Sequence, residues 1–202
     1  MKHLNEYITE KLRINSKTLE YKYYPKTKEE LRKILEERLE EDKNADFNDI
    51  DVSKIDDMSE LFRHLDPYNI DISEWDVSNV TNMRFMFCHC KNFNSDLSNW
   101  DVSNVKNMGY IFNGCNVFES DLSKWDVSNV TDMDRMFHKC YKFNSNLSKW
   151  DVSKVTNMCW MFGYCYKFNS DLSKWDISNT KKNIPFMLEG CDSLKNIPEW
   201  YK

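Results

Sequence analysis

Residues 75–100 read WDVSNVTNMRFMFCHCKNFNSDLSNW, and near-copies of this stretch fill most of the chain. Tryptophan recurs every 25 residues, and the opening WDVSNVTNM becomes WDVSNVKNM at 100, WDVSNVTDM at 125 and WDVSKVTNM at 150. A copy without the tryptophan begins at Ile50, and a divergent copy, WDISNTKKN, begins at Trp175. Self-similarity at a fixed period of this length is typical of proteins that stack one structural unit repeatedly.

Two apolar rhythms run through each unit. A step of three or four residues, which predicts a short helix with one buried face, is seen at Val80, Met83, Phe87 and Cys90. The spacing of Leu97, Trp100 and Val102 predicts a strand whose alternate side chains point inward. The Asn-Ser-Asp cluster at 94–96 predicts a turn between the two.

One such unit cannot bury its own apolar residues, so neighbouring copies must complete the core. We therefore predict an α/β solenoid over residues 47–202, a leucine-rich-repeat-like right-handed coil of six 25-residue units with a strand and a short helix each. The units start at residues 50, 75, 100, 125, 150 and 175. Covered ends favour a monomer, and end-to-end stacking is the open alternative.

The first 46 residues differ from the repeats. Thr27-Lys28-Glu29-Glu30 is a capping box that predicts the start of a helix. Its apolar stripe is Leu31, Ile34, Leu35 and Leu39. A second short helix is predicted over 3–14. We interpret residues 1–46 as a helical N-terminal cap that covers the raw edge of the first unit, or alternatively as a docking segment.

Charge and composition exclude some function classes. The net charge is −5 and no basic stripe appears, so no nucleic-acid partner is expected. No apolar run is long enough to span a membrane, and the polar N-terminus lacks a signal peptide. A cytoplasmic location is therefore expected, or a surface location if a signal was removed.

The cysteines form a column with a fixed position in the unit: Cys90, Cys115, Cys140, Cys165 and Cys191. Small reduced thiols are common core residues, and the clustered spacing of metal ligands is not repeated, so we predict packing and no metal or cofactor. The histidines do not recur with a nucleophile, and the chain has only 4 glycines and no glycine-rich phosphate loop. These features predict that the protein is not an enzyme.

A polar column follows each tryptophan. Its members, predicted to share the outer face of the strands, are Asp76, Asp101, Asp126, Asp151, Ser78, Ser103, Ser128 and Ser153. Side-chain capping of local backbone N–H groups is the favoured interpretation, and a ladder that binds cations is the alternative.

Positions that vary between copies are free to contact a partner. They place a band of aromatic and basic residues on the predicted helical side: Phe85, Tyr110, Arg135, Tyr141, Trp160, Tyr164 and Tyr166. Exposed aromatic side chains beside arginine are typical of protein-binding hot spots. This band is the predicted partner-binding site, and the Asp/Ser face is its rival.

The repeated residues resemble those of a known family. WDVSNVTNM at 75–83, Met86-Phe87, Cys90, Phe93-Asn94 and Asp96-Leu97-Ser98, with their copies, are similar to the 25-residue repeat of the BspA-like leucine-rich-repeat proteins. That family is also described as a mycoplasma lipoprotein-type domain of unknown function. The resemblance implies a leucine-rich-repeat solenoid and, in many members, a surface or adhesive role.

The sequence thus predicts a non-enzymatic protein–protein interaction module with a protein partner of unknown identity. The missing signal fits an intracellular adaptor or inhibitor of phage or mobile-element origin, and the first 46 residues weakly resemble leaders from gut bacteria and their phages. The alternatives are a bacterial cell-surface or adhesion repeat protein and a cation-stabilised structural rod.

Overall fold

The computed structural model describes residues 20–180 and 183–202. Within these residues the helices are α1, Lys28–Glu41, and a short 3-10 helix, Glu199–Tyr201. The rest of the described chain consists of turns and extended residues joined by isolated parallel bridges. The backbone hydrogen bonds of the repeats are therefore found mainly in turns and between units.

Helix α1 begins where the capping box predicts. The side chain of Thr27 accepts a hydrogen bond from the Glu30 N–H, which satisfies one of the free donors in the first turn. Leu31, Leu35 and Leu39 are buried, so the predicted apolar stripe is confirmed. The helix predicted over 3–14 lies outside the described residues.

One of the two arginines of α1, Arg32, bonds to the exposed edge of the first unit. The Arg32 guanidinium donates to the carbonyls of Glu60, Leu61 and Arg63 at 2.8, 2.9 and 3.1 Å. Met86 occupies the position in the second unit that Leu61 occupies in the first. Its carbonyl accepts the N–H of Phe62, which belongs to the first unit. Arg32 therefore satisfies acceptors that a preceding unit would otherwise bond.

Successive units are joined by a ladder of backbone hydrogen bonds, most of which run from one unit to the next. The N–H groups of Thr81 and Lys106 donate in the opposite direction, to the carbonyls of Asp56 and Thr81. The N–H groups of alternate residues in one unit donate to carbonyls of the next at 2.7–3.0 Å: Met83, Phe85, Phe87 and His89 donate to Asn107, Gly109, Ile111 and Asn113. A parallel bridge accompanies the ladder in each unit, at Asp57, Asn82, Asn107, Asp132 and Asn157. Every unit in this stack thus depends on its neighbour for its backbone hydrogen bonds.

The prediction of a short helix in each unit is wrong. An α-helix directs each N–H to the carbonyl four residues back. Here the N–H of Met86 bonds to Met83 and that of Cys90 to Phe87, three residues back, while the N–H groups of Phe87 and His89 donate to the next unit. The apolar residues spaced three apart are therefore the first and last residues of consecutive turns. This spacing resembles that of a helix.

The predicted strand and the predicted α/β solenoid are wrong for a related reason. Trp100 closes a turn onto Leu97 and Val105 closes another onto Val102, so the extended stretch between them is too short to pair. Parallel pairing is limited to isolated bridges, and the described residues form no sheet. Neither a leucine-rich repeat nor a solenoid with a strand and helix per unit is supported by the structure.

The core consists of columns of identical side chains. Phe87 and Phe112 stack with 5.7 Å between ring centroids, and the indole N–H of Trp100 donates to the carbonyl of Ile72 at 3.1 Å. The thiol of Cys115 donates to the carbonyl of Phe87 at 3.1 Å. Core packing of the cysteines is confirmed at Cys90, Cys115, Cys140 and Cys165, whereas Cys191 is only partly buried.

Candidate partner-binding face

The Asp/Ser column stabilises local turns. The Asp76 carboxylate accepts the Ser78 N–H at 3.1 Å and the Ser78 hydroxyl at 2.6 Å. The backbone bond recurs between the partners of the next three units, Asp101 and Ser103, Asp126 and Ser128, and Asp151 and Ser153. The Ser103 hydrogen bonds lower the pKa of the Asp101 carboxyl. The interpretation as local caps is confirmed, but the column lies on turns and not on the strand face that we predicted.

The described residues contain no group of three or more His, Cys, Asp or Glu side chains arranged to hold a metal ion. No helix among those residues is long and apolar enough to cross a membrane. The side chains that vary between units are the other candidates for a site.

Two backbone columns with positive φ carry the most varied side chains. The first column is Glu60, Phe85, Tyr110, Arg135, Trp160 and Phe186. The second column is His64, His89, Gly114, Lys139, Tyr164 and Gly190. We define these two columns, together with the residue that precedes each member, as the variable face.

Bulky residues are costly in these columns. A left-handed backbone places Cβ against the following carbonyl, at about 1–2 kcal/mol per residue, and only glycine and, to a lesser degree, asparagine or aspartate adopt it readily. The first column nevertheless contains no glycine and includes Phe85, Tyr110 and Trp160, with φ between 55° and 60°. Strained backbone of this kind clusters at functional sites, which makes these side chains candidates for a functional role.

One half of the variable face is a cluster of cations and rings, which we call the Arg–aromatic pile. Its members are Arg63, Phe85, Arg84, Tyr110 and Arg135. Each guanidinium carbon lies 4.7–5.3 Å from a ring centroid, within cation–π range. The two rings are 4.5 Å apart. The pile spans four units, and each of its rings contacts two of the arginines.

The cations of this pile are neutralised within the face. Arg63 pairs with Glu60 at 2.8 Å, and Arg84 reaches two units along the stack to pair with Asp132 at 2.9 Å. Arg135 pairs with Asp134 at 3.2 Å and also donates to the Tyr110 hydroxyl. Burial raises the pKa of the Asp134 carboxyl, although the charge of Arg135 opposes this shift. The arginines therefore hold neighbouring side chains of the surface in place but add little net charge to it.

The other half of the face is an aromatic cluster formed by His138, Trp160, Tyr164 and Phe186. Trp160 and Phe186 stack at 4.7 Å, and the His138 imidazole meets the rings of Trp160 and Tyr164 edge-on at 5.5 and 5.7 Å. Phe186 is 54% exposed. The cluster presents apolar ring surface beside a polar group.

The structure thus brings together most of the residues predicted for partner binding, but not all. Phe85, Tyr110 and Arg135 join the Arg–aromatic pile, and Trp160 and Tyr164 join the aromatic cluster. Tyr141 and Tyr166 stack on each other at 5.2 Å beside the face, and no ring contact among the described residues links them to Tyr164.

Sequence reasoning missed Arg63, His138 and Phe186. Phe186 is the counterpart of Trp160, displaced by the one inserted residue of the last unit. That insertion, visible in the 26-residue step from Cys165 to Cys191, is the signal that would have identified it.

The glycines make room for side chains of this face. A Cβ on Gly163 would lie 2.6 Å from Trp160 Cε3 and 2.9 Å from His138 Cδ2. A Cβ on Gly109 would lie 2.9 Å from an Arg84 guanidinium nitrogen. Gly114 and Gly190 give the same room to His89 and Tyr164, so all 4 glycines of the chain border the variable face. No other glycine occurs in the sequence.

The imidazole of His138 makes stability depend on pH. Burial lowers its pKa from 6.5 to about 4, helped by the charges of Lys139 and Arg135. Between these values the unfolded chain binds the proton more readily than the folded protein, so stability is lost as pH falls below 6.5 and is retained above it. We expect the melting temperature of His138→Asn to fall less over this range than that of the wild type. Parallel curves for the variant and the wild type would contradict the assignment.

Comparison with known proteins identifies a repeat family. The family model described as Mycoplasma protein of unknown function, DUF285, matches residues 30–135 and 111–201, which together cover most of the chain. The match includes the units, part of α1 and the whole variable face. Neither the curated proteins nor the solved structures gave a match.

Proposed function

This chain belongs to the DUF285 family of Mycoplasma proteins of unknown function, and we propose that it is a non-enzymatic module that binds a partner protein through its variable face. One observation carries the proposal. Bulky aromatic and arginine side chains occupy the positive-φ column, where glycine or asparagine would cost less. A stack that served only as a structural rod would have no use for that cost.

The chemistry of the face supports protein recognition. Tryptophan, tyrosine and arginine are the residues most enriched in binding hot spots. Tyr110, Trp160 and Arg135 are only partly buried, and each is fixed by a ring contact or an ion pair. Side chains that are already ordered lose little entropy on binding, so the free face is organised for a partner. Such a face would suit an adaptor or inhibitor inside a cell, and it would equally suit a module on a cell surface.

The test uses substitutions that the backbone tolerates. In the triple variant Tyr110→Asn, Trp160→Asn and Tyr164→Asn, each asparagine accepts a positive φ, so the melting temperature should stay close to that of the wild type. The matched control is Lys124→Ala, Lys149→Ala and Lys174→Ala, three exposed changes in the turns before Trp125, Trp150 and Trp175.

Both variants and the wild type are cross-linked in lysate of the natural host, and captured proteins are identified by mass spectrometry. We expect one partner to be captured by the wild type and the control and lost by the triple asparagine variant. Capture of the same partner by a well-folded asparagine variant would exclude the variable face as the binding site.

A further inference from the structure

Four exposed lysines on or near the variable face have no acidic partner in the part of the chain that the structure describes. Within residues 20–180 and 183–202, no carboxylate lies within ion-pair distance of these side chains, all of which are exposed: Lys91, Lys139, Lys142 and Lys167. The arginines of the face behave differently, because each is paired with a carboxylate. Among the described residues, the unpaired positive charge of this surface therefore comes from its lysines, beside one exposed carboxylate of the face, that of Glu189, in a protein whose net charge is −5.

These lysines act on the face itself. Lys139 belongs to the second positive-φ column, and with Lys91 it reinforces the lowering of the His89 pKa that burial begins. Lys142 and Lys167 occupy equivalent positions in neighbouring units, each next to one ring of the stacked Tyr141–Tyr166 pair. Positive charge thus lies beside the aromatic cluster at Lys139, which follows His138 in the chain, and we call the four lysines together the lysine strip.

We propose that the partner presents an acidic segment that also carries aromatic or aliphatic side chains, with its carboxylates on the four lysines and its apolar side chains on the aromatic cluster. This inference rests on the proposed function and names the chemistry of the partner at that site. Charge complementarity favours an acidic partner, because unpaired lysines attract anions and repel a basic segment. An apolar segment without charge would leave the lysine strip unused.

A nucleic acid is the other anionic class, and the ring geometry disfavours it. Single strands bind by stacking bases on open aromatic faces. Here the rings already stack on one another along the units, Phe85 on Tyr110 and Tyr141 on Tyr166, so one face of each of these rings is already covered. Carboxylates on a protein segment require no stacking platform.

The test selects random peptides displayed on phage against the intact wild-type protein. Enriched peptides should carry net negative charge together with aromatic or leucine residues. Their association rate is then measured with Lys91→Gln, Lys139→Gln, Lys142→Gln and Lys167→Gln combined, and with the control Lys124→Gln, Lys149→Gln and Lys174→Gln. We expect the face variant to associate about tenfold more slowly at low salt, because electrostatic steering is lost, and the control to match the wild type.

The outcomes separate this inference from the proposed function. Neutral or basic peptides that are lost by the triple asparagine variant would overturn the acidic-segment inference and leave the face as a protein-binding site. Peptides that the folded asparagine variant retains would contradict the proposed function itself. Displacement of the peptides by a short single-stranded oligonucleotide, or no enrichment at all, would also overturn the inference.

Discussion

Replacing Trp125 with alanine should lower the free energy of unfolding by about 3–5 kcal/mol, the usual cost of removing a large buried aromatic side chain. Trp125 lies in a central unit and is 3% exposed. Its ring packs against Phe112 at 6.2 Å, and its indole N–H donates to the Leu97 carbonyl, in the unit that begins at Trp75, at 2.9 Å. The substitution therefore opens a cavity and removes one of the two donors to that carbonyl, which keeps the N–H of Trp100. Urea unfolding measures the loss.

Two further variants separate the causes. Trp125→Phe keeps most of the ring but removes the indole donor, so it should cost about 0.5–1.5 kcal/mol for the lost hydrogen bond. Trp200→Ala removes the equivalent side chain from the last unit, where Trp200 is only partly buried and its bond to Leu172 is 3.2 Å, so its cost should be smaller. Equal losses at Trp125 and Trp200 would mean that the tryptophan column does not hold the units together.

The repeat and its core could be predicted from sequence because they depend on composition at fixed positions. Trp100, Cys115 and the cap at Thr27 were all identified by spacing alone. The backbone conformation could not be predicted in the same way. A step of three or four apolar residues fits an α-helix, but it also fits linked turns whose remaining N–H groups donate to a neighbouring unit. Only the long-range bonds distinguish them, and a single unit does not encode those bonds.

The binding face was predictable in part for a similar reason. Comparison of the copies shows which positions vary, and this located Phe85, Tyr110 and Trp160. It does not show that these positions have positive φ, which is what makes their bulk informative. Nor does it reveal contacts across two units, such as the ion pair of Arg84 and Asp132. Such contacts depend on the stacking distance rather than on the repeat pattern.

The buried thiols should be almost unreactive in the folded protein, which is the largest kinetic effect we expect. Burial raises the pKa of the Cys88 thiol to about 11 and that of Cys115 well above its ordinary value. The thiolate is the reactive form, and with a pKa of about 11 it makes up roughly a thousandth of the thiol at pH 8. Cys159 is only partly buried and should react first with N-ethylmaleimide. Mass spectrometry of timed samples measures each site.

The order of slow labelling at the remaining sites reports how the stack opens. Each unit bonds only to its neighbours, so an end unit can open at lower cost than a central one. Cys191 in the last unit should therefore be labelled before Cys115 and Cys140, whose units are held on both sides. All 7 cysteines should react at similar rates in denaturant, which serves as the control. Native labelling of Cys115 as fast as that of Cys159 would mean that the cysteine column is not in the core.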